Sequence, residues 1–132
     1  MSAQPVQTIT PLLVPVELEH DDRPWGSWHV LDVNPGYKIK RIRVEPGCRL
    51  SYQRHEHRSE HWVVISGIAT CTVDDVHSVV GPGGSVDVEI GARHRLANMH
   101  SEPLVIVEVQ RGFYTGEDDI ERLEDDYGRC PS

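Results

Sequence analysis

Short apolar segments separated by turn residues occupy most of this 132-residue chain. Most of the segments are five or six residues long and rich in valine and isoleucine, which favour strands. Glycine, proline, asparagine, serine or aspartate separates them at residues 34–36, 45–47, 66–67, 74–75 and 81–84. Turn signals at such regular intervals indicate an all-β sandwich or barrel.

The strand pattern also predicts how the chain is organised. We expect strands at residues 28–31, 37–44, 49–55, 60–65, 68–73, 76–80, 85–90, 94–98 and 104–109. A proline-punctuated arm (residues 1–22, with short edge strands at 12–14 and 16–18) precedes a barrel (23–110). An acidic tail (111–132) packs on the barrel, and in the whole sequence only residues 118–125 could hold a helical turn or two. The segment 60–66 is apolar on both faces, so a second sheet, the arm or a second subunit must cover it, and we expect a homodimer.

The composition excludes several functional classes. A chain of 132 residues suits one domain with a real core. The formal net charge of −8 argues against nucleic acid or an anionic membrane surface as the main partner. Cys48, Cys71 and Cys130 form neither a disulfide framework nor a zinc-thiolate motif. We find no secretory signal and no apolar run of membrane-spanning length, so we expect a cytoplasmic protein.

Two blocks that begin with glycine, residues 47–67 and 83–98, contain side chains that suit a metal ion. Gln53 and His55 are two residues apart, so on a strand they point to the same face of the sheet. A polar, turn-like stretch follows, and we expect Glu60 to open the next antiparallel strand, beside them. His94 lies on a later strand. Burying two imidazoles, an amide and a carboxylate without a partner is costly, so these four donors predict a site for one divalent metal ion.

The donor types narrow the choice of metal. We expect zinc first, with manganese, iron, cobalt or nickel as alternatives. Two histidines and one carboxylate also form the facial triad of non-haem iron oxygenases. Gln53 would occupy one of the positions that such enzymes leave open, which favours redox-neutral chemistry.

Basic residues around the first block predict an anionic small molecule as the ligand. Lys38 and Lys40 lie on a strand that can line the cavity, although a solvated sheet face is the simpler interpretation of such residues. Arg58 and Arg111 are further candidates for substrate binding, because guanidinium groups pair well with phosphate. His57, expected in a turn at the barrel mouth, is either a solvated residue or a proton carrier.

Longer strings of the chain resemble a known family. The two blocks match the paired motifs of the cupin superfamily, although histidine usually stands in place of Gln53 and proline in place of Glu89. Residues 23–28, 37–42, 50–62 and 108–120 resemble the type II phosphomannose isomerase family, and the likeness extends over roughly residues 23 to 129. In that family this domain often follows a nucleotidyltransferase domain that makes GDP-mannose.

The resemblance implies a cupin fold (a double-stranded β-helix or jelly-roll barrel) and one divalent metal held by Gln53, His55, Glu60 and His94. It also implies that a sugar phosphate is the substrate and that mannose 6-phosphate and fructose 6-phosphate are interconverted through an enediolate. His57 or Lys40 would be the catalytic base. Two alternatives are a non-catalytic cupin that binds a sugar or nucleotide sugar, and a cupin isomerase or epimerase for another sugar.

Overall fold

The structure is a computed structural model and describes residues 18–128. Eleven strands form two antiparallel sheets in this part of the chain. Their bounds are β1 His20–Arg23, β2 Gly26–Asn34, β3 Tyr37–Val44, β4 Tyr52–Arg54, β5 Ser59–Ser66, β6 Ala69–Val73, β7 Val76–Val80, β8 Ser85–Val88, β9 His94–Ala97, β10 Leu104–Arg111 and β11 Glu121–Glu124.

After β3, the chain alternates between the two sheets at nearly every connection. One sheet has the order β1-β2-β3-β10-β5-β8 and the other β11-β4-β9-β6-β7. From β3 onward, only β6 and β7 are consecutive strands of one sheet, joined by a hairpin in which Asp74 and Asp75 have φ of 48° and 67°. Two left-handed residues in a two-residue loop are what a type I′ turn requires. The repeated crossing makes a jelly roll, so the predicted all-β class is confirmed.

The inner face of the larger sheet is divided into an apolar half and a polar half. Alternation along the strands buries Ile42, Val44, Val64, Leu104 and Ile106, which pack with residues of the other sheet. At the opposite end, the inward positions of the same strands are polar. Register places these residues side by side in the pairs Lys40–Glu108, Lys38–Gln110 and Gln110–Glu60. The apolar half is the core, and the polar half is the floor of a cavity.

Two expectations about local structure are wrong. Glu60 lies on β5 in the six-stranded sheet, whereas Gln53 lies on β4 in the five-stranded sheet, so their strands are not neighbours. The short connection 55–58 crosses between the sheets instead of forming a hairpin. The expected helical turn within 118–125 is also wrong, because residues 121–124 form β11, which pairs with β4. An ion pair of 2.6 Å between Arg54 and Glu121 supports that pairing.

Other expectations are not decided by the fold. The edge strand expected at 12–14 lies outside the described residues, as does that at 16–18 except for Leu18. On the outer face of β5, Val63 is half-buried and Ile65 is 52% exposed, so the homodimer that would cover this face stays a prediction. The domain boundaries at 22/23 and 110/111 stay predictions as well. No helix that could cross a membrane occurs between residues 18 and 128.

Shortening a core side chain tests the assignment of the apolar half. Ile106 is 0% exposed, and Ile106→Ala should lower the free energy of unfolding by about 2–5 kcal/mol, because the change leaves a cavity. The matched control is Ile90→Ala, at a position 57% exposed, which should change the free energy by less than about 0.5 kcal/mol. Denaturant unfolding measures both values. Equal losses in the two variants would contradict the assignment.

Candidate metal centre

Three predicted metal ligands meet where the chain crosses between the sheets. His55 directly follows β4, Glu60 is the second residue of β5 and His94 is the first residue of β9. Their exposed fractions are 2%, 4% and 1%. The structure therefore brings together three of the four predicted ligands from three strand ends, in a site closed to bulk water.

The distances among these side chains suit a single ion. His55 Nε2 lies 3.1 Å from His94 Nε2 and 3.1 Å from Glu60 Oε2, and His94 Nε2 lies 3.7 Å from Glu60 Oε1. Ligand atoms about 2.0–2.2 Å from a tetrahedral ion lie roughly 3.3–3.6 Å from one another. The spacing in the structure is close to that of a coordination shell.

The hydrogen bonds of the two imidazoles decide which nitrogens face the site. His55 Nδ1 lies 2.6 Å from the carbonyl oxygen of Asp119, and His94 Nδ1 lies 2.9 Å from that of Ala92. A carbonyl oxygen only accepts, so each Nδ1 carries a proton, and in the neutral ring each Nε2 presents a lone pair. Two lone pairs and the Glu60 carboxylate then converge on one point that a metal cation fits, where the guanidinium Nη2 of Arg58 lies 3.1 Å from His55 Nε2 and donates to it.

Neighbouring donors keep Glu60 ionised. Its Oε2 accepts from Arg58 Nε at 3.0 Å and its Oε1 from Trp62 Nε1 at 2.9 Å. Burial alone raises the pKa of Glu60, but the hydrogen bond with protonated His55 and the positive charges of protonated His94 and His55 and of Arg58 outweigh burial and hold the pKa well below its ordinary value. Burial lowers the pKa of His94. A carboxylate and a neutral imidazole are the forms that bind a metal.

The fourth predicted ligand, Gln53, lines the same cavity. It lies opposite His94 in the pairing of β4 with β9. Its Oε1 accepts a hydrogen bond of 2.8 Å from Ser51 Oγ and has a second lone pair. Its role as a ligand stays a prediction.

The predicted substrate-binding and catalytic residues are divided between the cavity and the surface. Lys38 and Lys40 are 6% and 4% exposed, so neither lies on a solvated face, and Arg58 is buried beside Glu60. Arg111 is exposed, because it alternates with Gln110 and points away from the cavity. His57 is half-buried outside the cavity wall. The roles of all five remain predictions.

The sequence interpretation missed four residues of the site. Gln110 Nε2 donates to Glu108 Oε2 at 2.6 Å, and both residues are buried on β10. Burial and the charge of Glu60 raise the pKa of Glu108 to about 8, although Lys40 and Arg58 oppose the rise. The sequence signal for Glu108 and Gln110 was the presence of two polar residues at inward positions of an otherwise apolar strand. Two further residues, Glu117 and Asp119, belong to the acidic tail that we expected to pack on the barrel, and neither was predicted as a site residue.

The cavity is small. It contains about 70 Å³ of free space, enough for a few water molecules. The residues that line it include Trp28, Lys40, Gln53, His55, Glu60 and Glu108.

The raised pKa of Glu108 predicts a pH dependence of stability in metal-free protein. Glu108 keeps its proton up to about pH 8 in the fold, whereas the unfolded chain loses it near 4.5. Its contribution to stability is therefore fully present below about 4.5 and is lost as the pH rises towards 8. Glu108→Gln removes this loss. The unfolding temperature of the variant minus that of the wild type should therefore increase as the pH is raised from 5 to 8.

Thermal unfolding in the presence of a chelator measures this difference. The control is Glu89→Gln, at an exposed position, which should change the unfolding temperature little at either pH. If the difference in unfolding temperature between Glu108→Gln and the wild type stays constant from pH 5 to pH 8, the raised pKa of Glu108 is contradicted.

Comparison with known proteins places the chain in a family. The family model for the mannose-6-phosphate isomerase C-terminal domain matches residues 17–125. Over 107 residues, the chain is 52% identical to the alginate biosynthesis protein AlgA of Pseudomonas aeruginosa and 45% identical to the mannose-1-phosphate guanylyltransferase of Escherichia coli. Each alignment covers 81% of this chain and 22% of the relative. The chain thus spans about a fifth of the length of these curated relatives.

A solved structure confirms the fold. A mutant of the oxalate decarboxylase OxdC of Bacillus subtilis superimposes with a TM-score of 0.74 at 18% identity, over 86% of this chain and 32% of that one. At this identity the likeness concerns the fold alone, and it bears out the predicted cupin class.

The names of the relatives correct the predicted function. We expected an isomerase that interconverts mannose 6-phosphate and fructose 6-phosphate, but these relatives are named for alginate biosynthesis and for guanylyl transfer to mannose 1-phosphate. The motifs identify a domain, and a domain that longer enzymes share does not specify the reaction of this chain.

The prediction of an enzyme is confirmed at the level of the family, because the matching family model and the relatives are those of enzymes. The chain belongs to the mannose-6-phosphate isomerase C-terminal family.

Proposed function

We propose that this domain binds one divalent metal ion and, beside it, a phosphorylated mannose derivative, and that it serves GDP-mannose biosynthesis together with a mannose-1-phosphate guanylyltransferase activity. The observation that carries the proposal is the convergence of His55 Nε2, His94 Nε2 and the Glu60 carboxylate next to the buried Lys40. The matching family and the guanylyltransferase relatives support the choice of sugar. The relatives are bacterial biosynthetic enzymes, so the cytoplasm is the compartment that we propose.

The donor set supports a metal of the first transition series. His55, Glu60 and His94 would hold the ion, with Gln53 as the proposed fourth ligand. Two imidazoles with oxygen donors suit zinc foremost, and also manganese, iron, cobalt and nickel. A bound ion of this kind supplies Lewis-acid stabilisation of negative charge on a ligand oxygen.

The residues opposite the metal ligands can bind and orient an oxygen-rich anion. Lys40 Nζ lies 4.0 Å from the centre of the Trp28 ring, which fixes the ammonium group at the cavity wall. Glu108 lies directly across from Lys40 on β10, and its pKa, raised to about 8 in the metal-free protein, allows it to donate a hydrogen bond to a ligand oxygen when it is protonated. Arg58 holds Glu60 in place. Burial of these groups strengthens each of their charge interactions.

Removing a ligand side chain tests the metal site. His55→Ala and His94→Ala should each reduce the bound metal from one ion per chain to less than about a tenth, because each removes one of the two imidazole ligands. The matched control is His61→Ala, since His61 belongs to the same sequence block but pairs with Asp87 on the surface. Elemental analysis of the purified proteins gives the metal content. Full occupancy in His55→Ala, or no metal in the wild type after reconstitution, would contradict the site.

Removing a cavity cation tests the sugar-phosphate proposal. Metal-loaded protein should bind mannose 1-phosphate or mannose 6-phosphate more tightly than mannose. Lys40→Met should lower the affinity for the phosphohexose at least tenfold, because a buried cation is lost. The control is Arg41→Met, one position along β3, where the side chain is exposed on the outer face. Titration calorimetry measures the affinities. Equal affinities for mannose and its phosphates, or equal effects of the two variants, would contradict the proposal.

A further inference from the structure

Two buried lysines form a compact cationic site in the polar half of the sheet. Lys38 and Lys40 are two residues apart on β3, so both side chains lie on its inner face. They are 6% and 4% exposed. Two ammonium groups this close together and this well shielded from water require an anion between them.

A single carboxylate now serves as that anion. Glu117 Oε2 lies 3.2 Å from Lys38 Nζ, and both Glu117 oxygens lie 2.7 Å from Lys40 Nζ. Burial raises the pKa of Glu117, but the two lysines outweigh burial and hold it below its ordinary value. One negative charge thus faces two positive charges. A phosphate dianion would match the lysine pair better than the carboxylate does.

Glu117 belongs to the segment that crosses from β10 to β11, residues 112–120. The segment lies at a boundary between two spaces. Lys40 and Glu117 line the cavity of about 70 Å³ beside the metal ligands. Lys38 and Gly116 line an open groove of about 620 Å³ on the other side. A ligand phosphate can pair with both lysines only in the place that the Glu117 carboxylate occupies in the structure.

We propose that Lys38 and Lys40 are the phosphate-binding subsite of this domain and that Glu117 is an internal carboxylate that a ligand phosphate displaces. This inference rests on the proposed binding of a phosphorylated sugar and names the residues that take its phosphate. Displacement of Glu117 frees the space beside the two lysines for the phosphate.

The test uses inorganic phosphate and metal-free protein, so that it depends on neither the sugar nor the ion. Glu117→Gln keeps the shape of the side chain and removes its charge, and it should bind phosphate at least tenfold more tightly than the wild type. The control is Glu121→Gln, which removes an exposed carboxylate paired with Arg54 on the surface, and it should bind phosphate like the wild type. Phosphorus NMR titration measures both affinities. Equal phosphate affinity in Glu117→Gln and the wild type would overturn the proposal.

A second variant covers the case in which Glu117→Gln does not fold. Lys38→Met leaves Lys40 and Glu117 as a balanced pair, so it should fold and bind phosphate at least tenfold more weakly than the wild type. An unchanged affinity would overturn the subsite. The control is again Arg41→Met, on the outer face of the same strand.

The outcomes separate this inference from the proposed function. Tighter phosphate binding by Glu117→Gln supports the inference even if no phosphohexose binds beside a metal. Metal-dependent binding of a phosphohexose with no effect of Glu117→Gln or Lys38→Met would overturn the inference and leave the proposed function standing.

Discussion

The orientation of two imidazole rings is the constraint on which the rest of the site depends. His55 and His94 each donate Nδ1–H to a backbone carbonyl, and both Nε2 lone pairs therefore point at Glu60. The carbonyls belong to Asp119, in the connection from β10 to β11, and Ala92, in the connection from β8 to β9. The rings are oriented only when both crossings are in place, so the metal centre forms together with the fold.

The polar half of the larger sheet is a cost that the apolar half offsets. Buried ionic groups contribute little to stability and sometimes reduce it, because desolvation opposes their attraction. Lys40, Glu60 and Glu108 therefore occupy positions that apolar residues would fill at a lower cost. Buried charges that are only partly paired are typical of functional sites. Residues such as Ile106 and Val44, fully buried at the other end of the same strands, supply the stability.

Local patterns predicted much of the fold and three residues that meet in the candidate metal centre, and failed where the answer depended on the other sheet. The bounds of β3 and β7 and the hairpin at Asp74 match the expectation, because turn chemistry and alternation are local. Alternation states which face a side chain occupies but not which sheet holds the strand, so the strand of Glu60 was placed wrongly. Glu117 was assigned only to the acidic tail, because charge patterns do not reveal that it pairs with two buried lysines.

The central claim is that two imidazoles and a carboxylate bind one cation, and X-ray absorption spectroscopy of zinc-reconstituted protein tests it most directly. The geometry predicts two histidine nitrogens among four nitrogen or oxygen donors at about 2.0–2.2 Å, with the multiple-scattering pattern of imidazole. A zinc shell that contains sulfur, or one without imidazole scattering, would contradict the claim.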